Sequence, residues 1–219
     1  MAGNGANASN RVRVIYIKLK QRQAFPMTFD EALNPWPLPP LQPYLAYLNG
    51  LGITGSSPQT RDVEPAVCLL MALERSPGGG GVAGEDLGPF AAAIPLPNGK
   101  TARGLVDVWR QPLWFCRWPT DHPDMNPTGP RPGSGNDPTD PQGLLNYAPW
   151  VGTAAYTPSA QVFQNLLHKV PLRNGPASSY RLAPVIASAG PDRTLGLDLR
   201  TFAPQEAQAN DNLYSVTQP

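Results

Sequence analysis

Residues 11–23, RVRVIYIKLKQRQ, interleave apolar and basic positions in a pattern that fits two periods. Val12, Ile15, Tyr16 and Leu19 fall on the i, i+3, i+4, i+7 stripe of a helix, while the β-branched content suits a strand. The next segments are less ambiguous. In FPMTFDEALNPWP, Thr28 is placed to cap a short helix, Glu31 follows three residues later as in a capping box, and Pro35 ends it. PLQPYLAYLNGLG reads as a second short helix stopped by Gly50 or Gly52. DVEPAVCLLMALERSPGGGG is the clearest helix, with Asp62 or Glu64 favouring its start, Pro65 in its first turn and Gly78–Gly81 ending it. Val67, Leu70, Met71 and Glu74 outline its stripe.

After a segment read as a turn or short helix and a loop, GEDLGPFAAAIPLPNGK, the period changes from helical to alternating. In GLVDVWRQPLWFCRWP, Leu105–Trp109 and Pro112–Trp118 form two β-rich runs around Arg110-Gln111, as in a hairpin. Strand alternation puts Trp114, Cys116 and Trp118 on one face and Leu113, Phe115 and Arg117 on the other. Residues 119–149 are dense in proline, glycine and aspartate and read as a long irregular insertion. TPSAQVFQNLLHKV carries a helical signal capped by Thr157. APVIASAG and DNLYSV read as two C-terminal strands. Helices first and a small antiparallel sheet afterwards predict an α+β fold, with one globular domain over 11–219 behind a flexible polar leader at 1–10.

Composition sharpens this picture at three points. Among 219 residues there are 28 prolines and 21 glycines, so much of the chain must run in loops and short elements. A net charge of +1 gives no electrostatic footprint for nucleic acid or an anionic membrane surface. No run of about 18 apolar residues is present. The two cysteines, Cys68 and Cys116, match no zinc spacing; a disulfide and two buried thiols are both open.

Candidate chemistry is sparse. His122 lies in a Pro/Asp loop and His168 near a helix end, and no motif frames a nucleophile for either. SPGGGGVAGED lacks the Lys-Ser/Thr of a phosphate loop. Asp121 and Asp124, and Asp137 and Asp140, sit among prolines, where aspartate initiates turns. The segment APVIASAGPDRTLGLD differs. An apolar run breaks at Ser-Ala-Gly, and Asp192 and Asp198 bracket a Gly-containing loop, with Asp211 opening the last strand-like run. A catalytic pair, a metal loop and an ordinary surface turn all fit. If a metal binds, carboxylates and carbonyls without His or Cys suit Ca²⁺ rather than a transition metal.

Three stretches converge on a family. DVWRQPLWF resembles the D-x-W-G-x-P-aromatic-x-aromatic motif of type II secretion pseudopilins and related type IV pilin-like proteins. SAGPDRTLGLD followed by NDNLYSV is similar to their C-terminal S-x-G-x-D-G…D…D-[DN]-I/L pattern, and FPMTFDEAL to the turn after their long N-terminal helix. The match departs at two positions: the glycines of D-x-W-G and of the C-terminal motif are Arg110 and Arg193 here. The resemblance implies a pilin-like fold, an N-terminal helix packed on a small antiparallel sheet, and it favours the helical reading of 11–23. It implies a non-enzymatic structural subunit of a secretion or pilus system, held in a bacterial inner membrane by an apolar helix not contained in this sequence, with a periplasmic or extracellular head. Its partners would be other pilin-like subunits and secretion-system components. It further implies calcium in the C-terminal loop on Asp192, Asp198 and Asp211. Trp109, Trp114 and Trp118 are expected in the sheet core, with a contact face as the other reading. Two rivals stand beside the resemblance: a carbohydrate- or protein-binding module using exposed tryptophans and the Pro-rich loop, and a carboxylate-dependent hydrolase.

Overall fold

A computed structural model describes residues 3–76, 86–118, 184–197 and 211–215. Four helices come first: α1 (Gly3–Ala24), α2 (Phe29–Leu33), α3 (Gln42–Gly50) and α4 (Glu64–Arg75). A 3₁₀ turn at Gly88–Phe90 leads into β1 (Ala91–Pro95) and β2 (Thr101–Leu105), an antiparallel pair. A second, three-stranded antiparallel sheet has β4 (Val185–Ser188) between β3 (Trp114–Cys116) and β5 (Leu213–Tyr214). The α+β class is therefore that of the described chain. The segments at 119–149 and 157–170, with both histidines and the four aspartates at 121–140, lie outside the described residues.

Residues 11–23 are helical, and the same helix takes in the polar stretch from Gly3, since each added residue closes one more backbone hydrogen bond. Among its described side chains, Val14, Lys18 and Gln23 are buried, while Val12 and Tyr16 of the expected stripe are 66% and 54% exposed. The apolar stripe and the buried face therefore do not coincide. At α2 the cap forms as the sequence suggests: Thr28 Oγ1 accepts from the Glu31 N–H at 3.1 Å. Glu31 reaches back one residue further than in a regular capping box, to the Met27 N–H at 2.9 Å.

The helix at the centre of the molecule is α4. Every residue from Glu64 to Ala72 is buried, rather than the single stripe expected, because α2, α3, β2 and β3 cover it from several sides. One core joins Val67, Cys68 and Met71 of α4 to Phe29, Tyr44, Leu48 and Ile94. A second joins Leu69 and Leu70 to Leu105 and Phe115. Close approach of α4 and β2 depends on Gly104, where an added Cβ would lie 2.4 Å from Ile94 Cδ1 and 3.3 Å from the Ala66 backbone.

Strand β1 falls in a segment whose alanines and prolines suggest a loop. Pairing with β2, from Ala91 opposite Leu105 to Pro95 opposite Thr101, overrides the weak propensity. The hairpin turns through Asn98-Gly99, with Gly99 at φ +79°. The turn between Leu105 and Leu113 also forms, but the runs on either side of it pair with different partners, β1 and β4. Alternation along β3 holds: Trp114 and Cys116 face a third core with Val185, Ala187, Leu195 and Leu197, and Phe115 faces the α4 side.

Candidate functional site

The Asp-x-Trp turn and the C-terminal loop meet at one carboxylate. Asp107 is 7% exposed and follows the Val106–Pro112 bridge that closes the turn. Its Oδ1 accepts from the Trp109 and Gln111 N–H groups at 2.9 and 2.8 Å, the side-chain equivalent of a backbone turn. The Asp107 N–H donates to the Gln111 carbonyl at 2.9 Å, and Arg110 between them sits at φ +65°. The second carboxylate oxygen, Oδ2, accepts from the Ser188 hydroxyl at 2.7 Å. Ser188 ends β4, so this hydrogen bond ties the exit of β2 to the C-terminal sheet.

The loop after β4 turns at once. The Gly190 N–H donates to Ser188 Oγ at 3.2 Å, and Gly190 adopts φ +69°. Asp192 is exposed and caps its own turn, its Oδ1 accepting from the Thr194 N–H at 2.7 Å. Arg193 adopts φ +64° and donates its N–H to the Gly190 carbonyl at 3.3 Å. Leu195 and Leu197 then return to the core beside Trp114. The last strand closes over this loop: Asn212 Nδ2 donates to the Leu195 carbonyl at 2.6 Å.

Asp211 rests on Gly190. A Cβ at Gly190 would lie 2.6 Å from the Asp211 carbonyl oxygen and 2.9 Å from its Oδ2. The structure thus brings Asp211 against the loop that carries Asp192, whereas Asp198 lies outside the described residues. Among the described residues, two buried oxygens here have no hydrogen-bond donor: Asp211 Oδ1 and Asn212 Oδ1. A buried acceptor without a partner costs about 1–3 kcal/mol, and both are hard ligands of the type Ca²⁺ takes. They would supply two of the roughly six to eight oxygens that a calcium ion takes. Among the described residues, no group of three or more His, Cys, Asp or Glu side chains is gathered for a metal.

Other titratable groups serve the frame. Glu64, 1% exposed, accepts from the Phe29 N–H, Ser56 Oγ and Thr60 Oγ1 at 2.9, 2.6 and 2.5 Å. The Arg117 guanidinium, in a residue 3% exposed, donates to both Glu31 oxygens at 3.1 and 3.0 Å and to the Phe25 carbonyl. Burial by itself pushes the Glu31 carboxyl up; Arg117, Arg22 and the Met27 N–H outweigh it and hold the carboxyl below its ordinary value. Cys68 and Cys116 are buried in different cores, and burial first, then the nearby Glu64 and Glu31, pushes the Cys68 thiol well up.

Of the three tryptophans, Trp114 and Trp118 are core residues, 7% and 5% exposed, and Trp109 is half-buried. Trp118 packs below the Lys18 ammonium and the Arg117 guanidinium, 5.6 and 4.2 Å from its ring. Sequence reasoning assigned the site to the late aspartates and overlooked Asp107, Ser188 and Asn212. The available signal was the Asp two residues before Trp109, a position from which a carboxylate accepts from its own turn. No family model, curated protein or solved structure matches this chain.

Proposed function

We propose that the protein is the head of a pseudopilin-like structural subunit. It performs no chemistry, assembles beside other pilin-like subunits through its N-terminal helix, and stands outside a bacterial inner membrane. The observation that carries this reading is the fate of the two residues that depart from the family's motifs. Arg110 and Arg193 stand where those motifs have glycine, and both adopt the left-handed backbone, at φ +65° and +64°, that glycine favours. A glycine at either position would meet no strain, which supports reading both as glycine positions of such motifs. The two motif stretches are also joined, Asp107 to Ser188. Val12 and Tyr16 add support, since α1 leaves an i, i+4 apolar pair exposed while burying Val14 and Lys18. Such a pair suits packing against a neighbouring helix.

Calcium belongs to this proposal. Asp211 and Asn212 would hold it with their free oxygens, together with Asp192 and Asp198 as the motif suggests. When bound, the ion supplies positive charge that fixes the end of β5 to the loop after β4.

Assembly is tested by disulfide cross-linking in the membranes of the native host. Val12→Cys and Tyr16→Cys place thiols on the exposed stripe, and Cys68 and Cys116 are buried and contribute little background. A ladder of oxidised species containing this chain is the expected result. Monomer alone at both positions would remove the assembly reading. Calcium should raise the thermal midpoint by several degrees at saturation, and Asp211→Asn should abolish the rise.

A further inference from the structure

The hydrogen bond between Asp107 and Ser188 does more than join two strands. Asp107 Oδ1 is occupied by two backbone N–H groups of its own turn, which fixes the carboxylate's direction. Its Oδ2 then takes the Ser188 hydroxyl proton at 2.7 Å. With that proton committed, a lone pair of Ser188 Oγ faces the Gly190 N–H at 3.2 Å. Gly190 is pressed on Asp211 so closely that a methyl group could not enter. Two hydrogen bonds and one close packing contact thus link Asp107 to Asp211, the carboxylate whose Oδ1 has no donor among the described residues.

We propose that Asp107 is a positioning residue of the C-terminal loop: through Ser188 it fixes the Gly190 backbone under Asp211, and so sets the cation affinity of a loop to which it supplies no ligand. The proposal rests on the calcium reading above for its binding readout, and on the described geometry for the rest. A ligand oxygen held in place loses less freedom on binding, so affinity falls when the support is cut even though every ligand remains.

The test uses the full chain and calcium alone. Titration calorimetry compares the wild type with Ser188→Ala, which deletes the hydroxyl, and Asp107→Asn, which keeps an acceptor for the turn but no longer accepts the serine proton. Both should weaken calcium binding roughly five- to tenfold, the scale of one hydrogen bond. The double variant should be no weaker than the poorer single one, because both cut the same chain of contacts. Gly104→Ala strains the fold at the α4–β2 contact and should leave calcium affinity unchanged, which separates positioning from general loss of stability. Wild-type affinity in both Ser188→Ala and Asp107→Asn would overturn the proposal.

If the wild type itself takes up no millimolar calcium, the calcium reading falls. Amide exchange in the calcium-free proteins then decides the positioning role alone. Ser188→Ala should speed exchange at Gly190 and across 211–215 while leaving α4 protected; unchanged exchange at those amides overturns it.

Discussion

Glu31→Gln tests whether the helical half of the molecule is fastened to the sheet by charge. The carboxylate accepts from Arg117 through both oxygens, at 3.1 and 3.0 Å, and from Arg22 Nε at 3.2 Å. The Arg117 side chain is 4% exposed and that of Glu31 19%, so the cation is the more deeply buried partner. Removing the negative charge leaves a buried guanidinium facing a neutral amide. Breaking a buried pair in this way costs about 3–5 kcal/mol, and the partial exposure of Glu31 places the expectation near the lower end, ~3 kcal/mol. For a chain of this size that corresponds to a fall of roughly 6–12 °C in melting midpoint. Chemical denaturation at neutral pH measures the difference directly. The wild type should also lose stability in acid. Because the folded carboxyl is held below its ordinary 4.5, its contribution is present above that value and lost as pH falls through the lower folded one. Glu31→Gln should lack this part of the acid dependence. Adding Arg117→Met removes the stranded cation, so the double variant should be more stable than Glu31→Gln alone. A cost below about 1 kcal/mol for Glu31→Gln, or additive costs in the double variant, would refute the argument.

Gly104→Ala should destabilise by about 1–3 kcal/mol, read by denaturant melting, since its Cβ meets Ile94 Cδ1 at 2.4 Å and the α4 backbone behind it. Arg193→Gly should be neutral or stabilising by up to ~1 kcal/mol, because the left-handed backbone at φ +64° is relieved at an exposed position; clear destabilisation would count against that conformation. Cys68 and Cys116 should both be inert to a thiol reagent in the native protein and both titrate, without reductant, once it is denatured; absence of free thiol in denaturant would show a disulfide.

What the sequence made legible follows how local each signal is. The α2 cap needed only Thr28 and its own next turn, and it formed around that hydroxyl. The alternation of Trp114, Phe115 and Cys116 was readable because a strand has two faces whatever covers them. Burial of α4 on all sides from Glu64 to Ala72 was not readable, since the covering elements arrive from distant parts of the chain. Strand β1 was invisible for the same reason: AAAIP has little β propensity, and the partner that makes it a strand lies beyond the Asn98-Gly99 turn. On α1, periodicity named the apolar stripe correctly but not the buried one, because Val14 and Lys18 are buried through contacts that periodicity does not encode.

The site shows the same division with a sharper consequence. A search for ligands ranks carboxylates by their spacing to one another, so it selects Asp192, Asp198 and Asp211 and passes over Asp107, which belongs by sequence to another motif. Yet Asp107 is the residue that joins the motifs, and it can do so only because its turn takes up one carboxylate oxygen and leaves the other for Ser188. The turn in turn requires a residue with positive φ at position 110, and the chain supplies an arginine there. Its guanidinium donates to the Pro89 carbonyl at 3.1 Å, an interaction glycine could not make, which offsets part of the backbone cost. Arg193 stands exposed on the loop, and its guanidinium makes no hydrogen bond of this kind among the described residues. The two substitutions for glycine are therefore not equivalent: Arg110→Gly should relieve strain but surrender a hydrogen bond, whereas Arg193→Gly should relieve strain alone. If stability followed composition rather than backbone conformation, the two changes would instead destabilise alike.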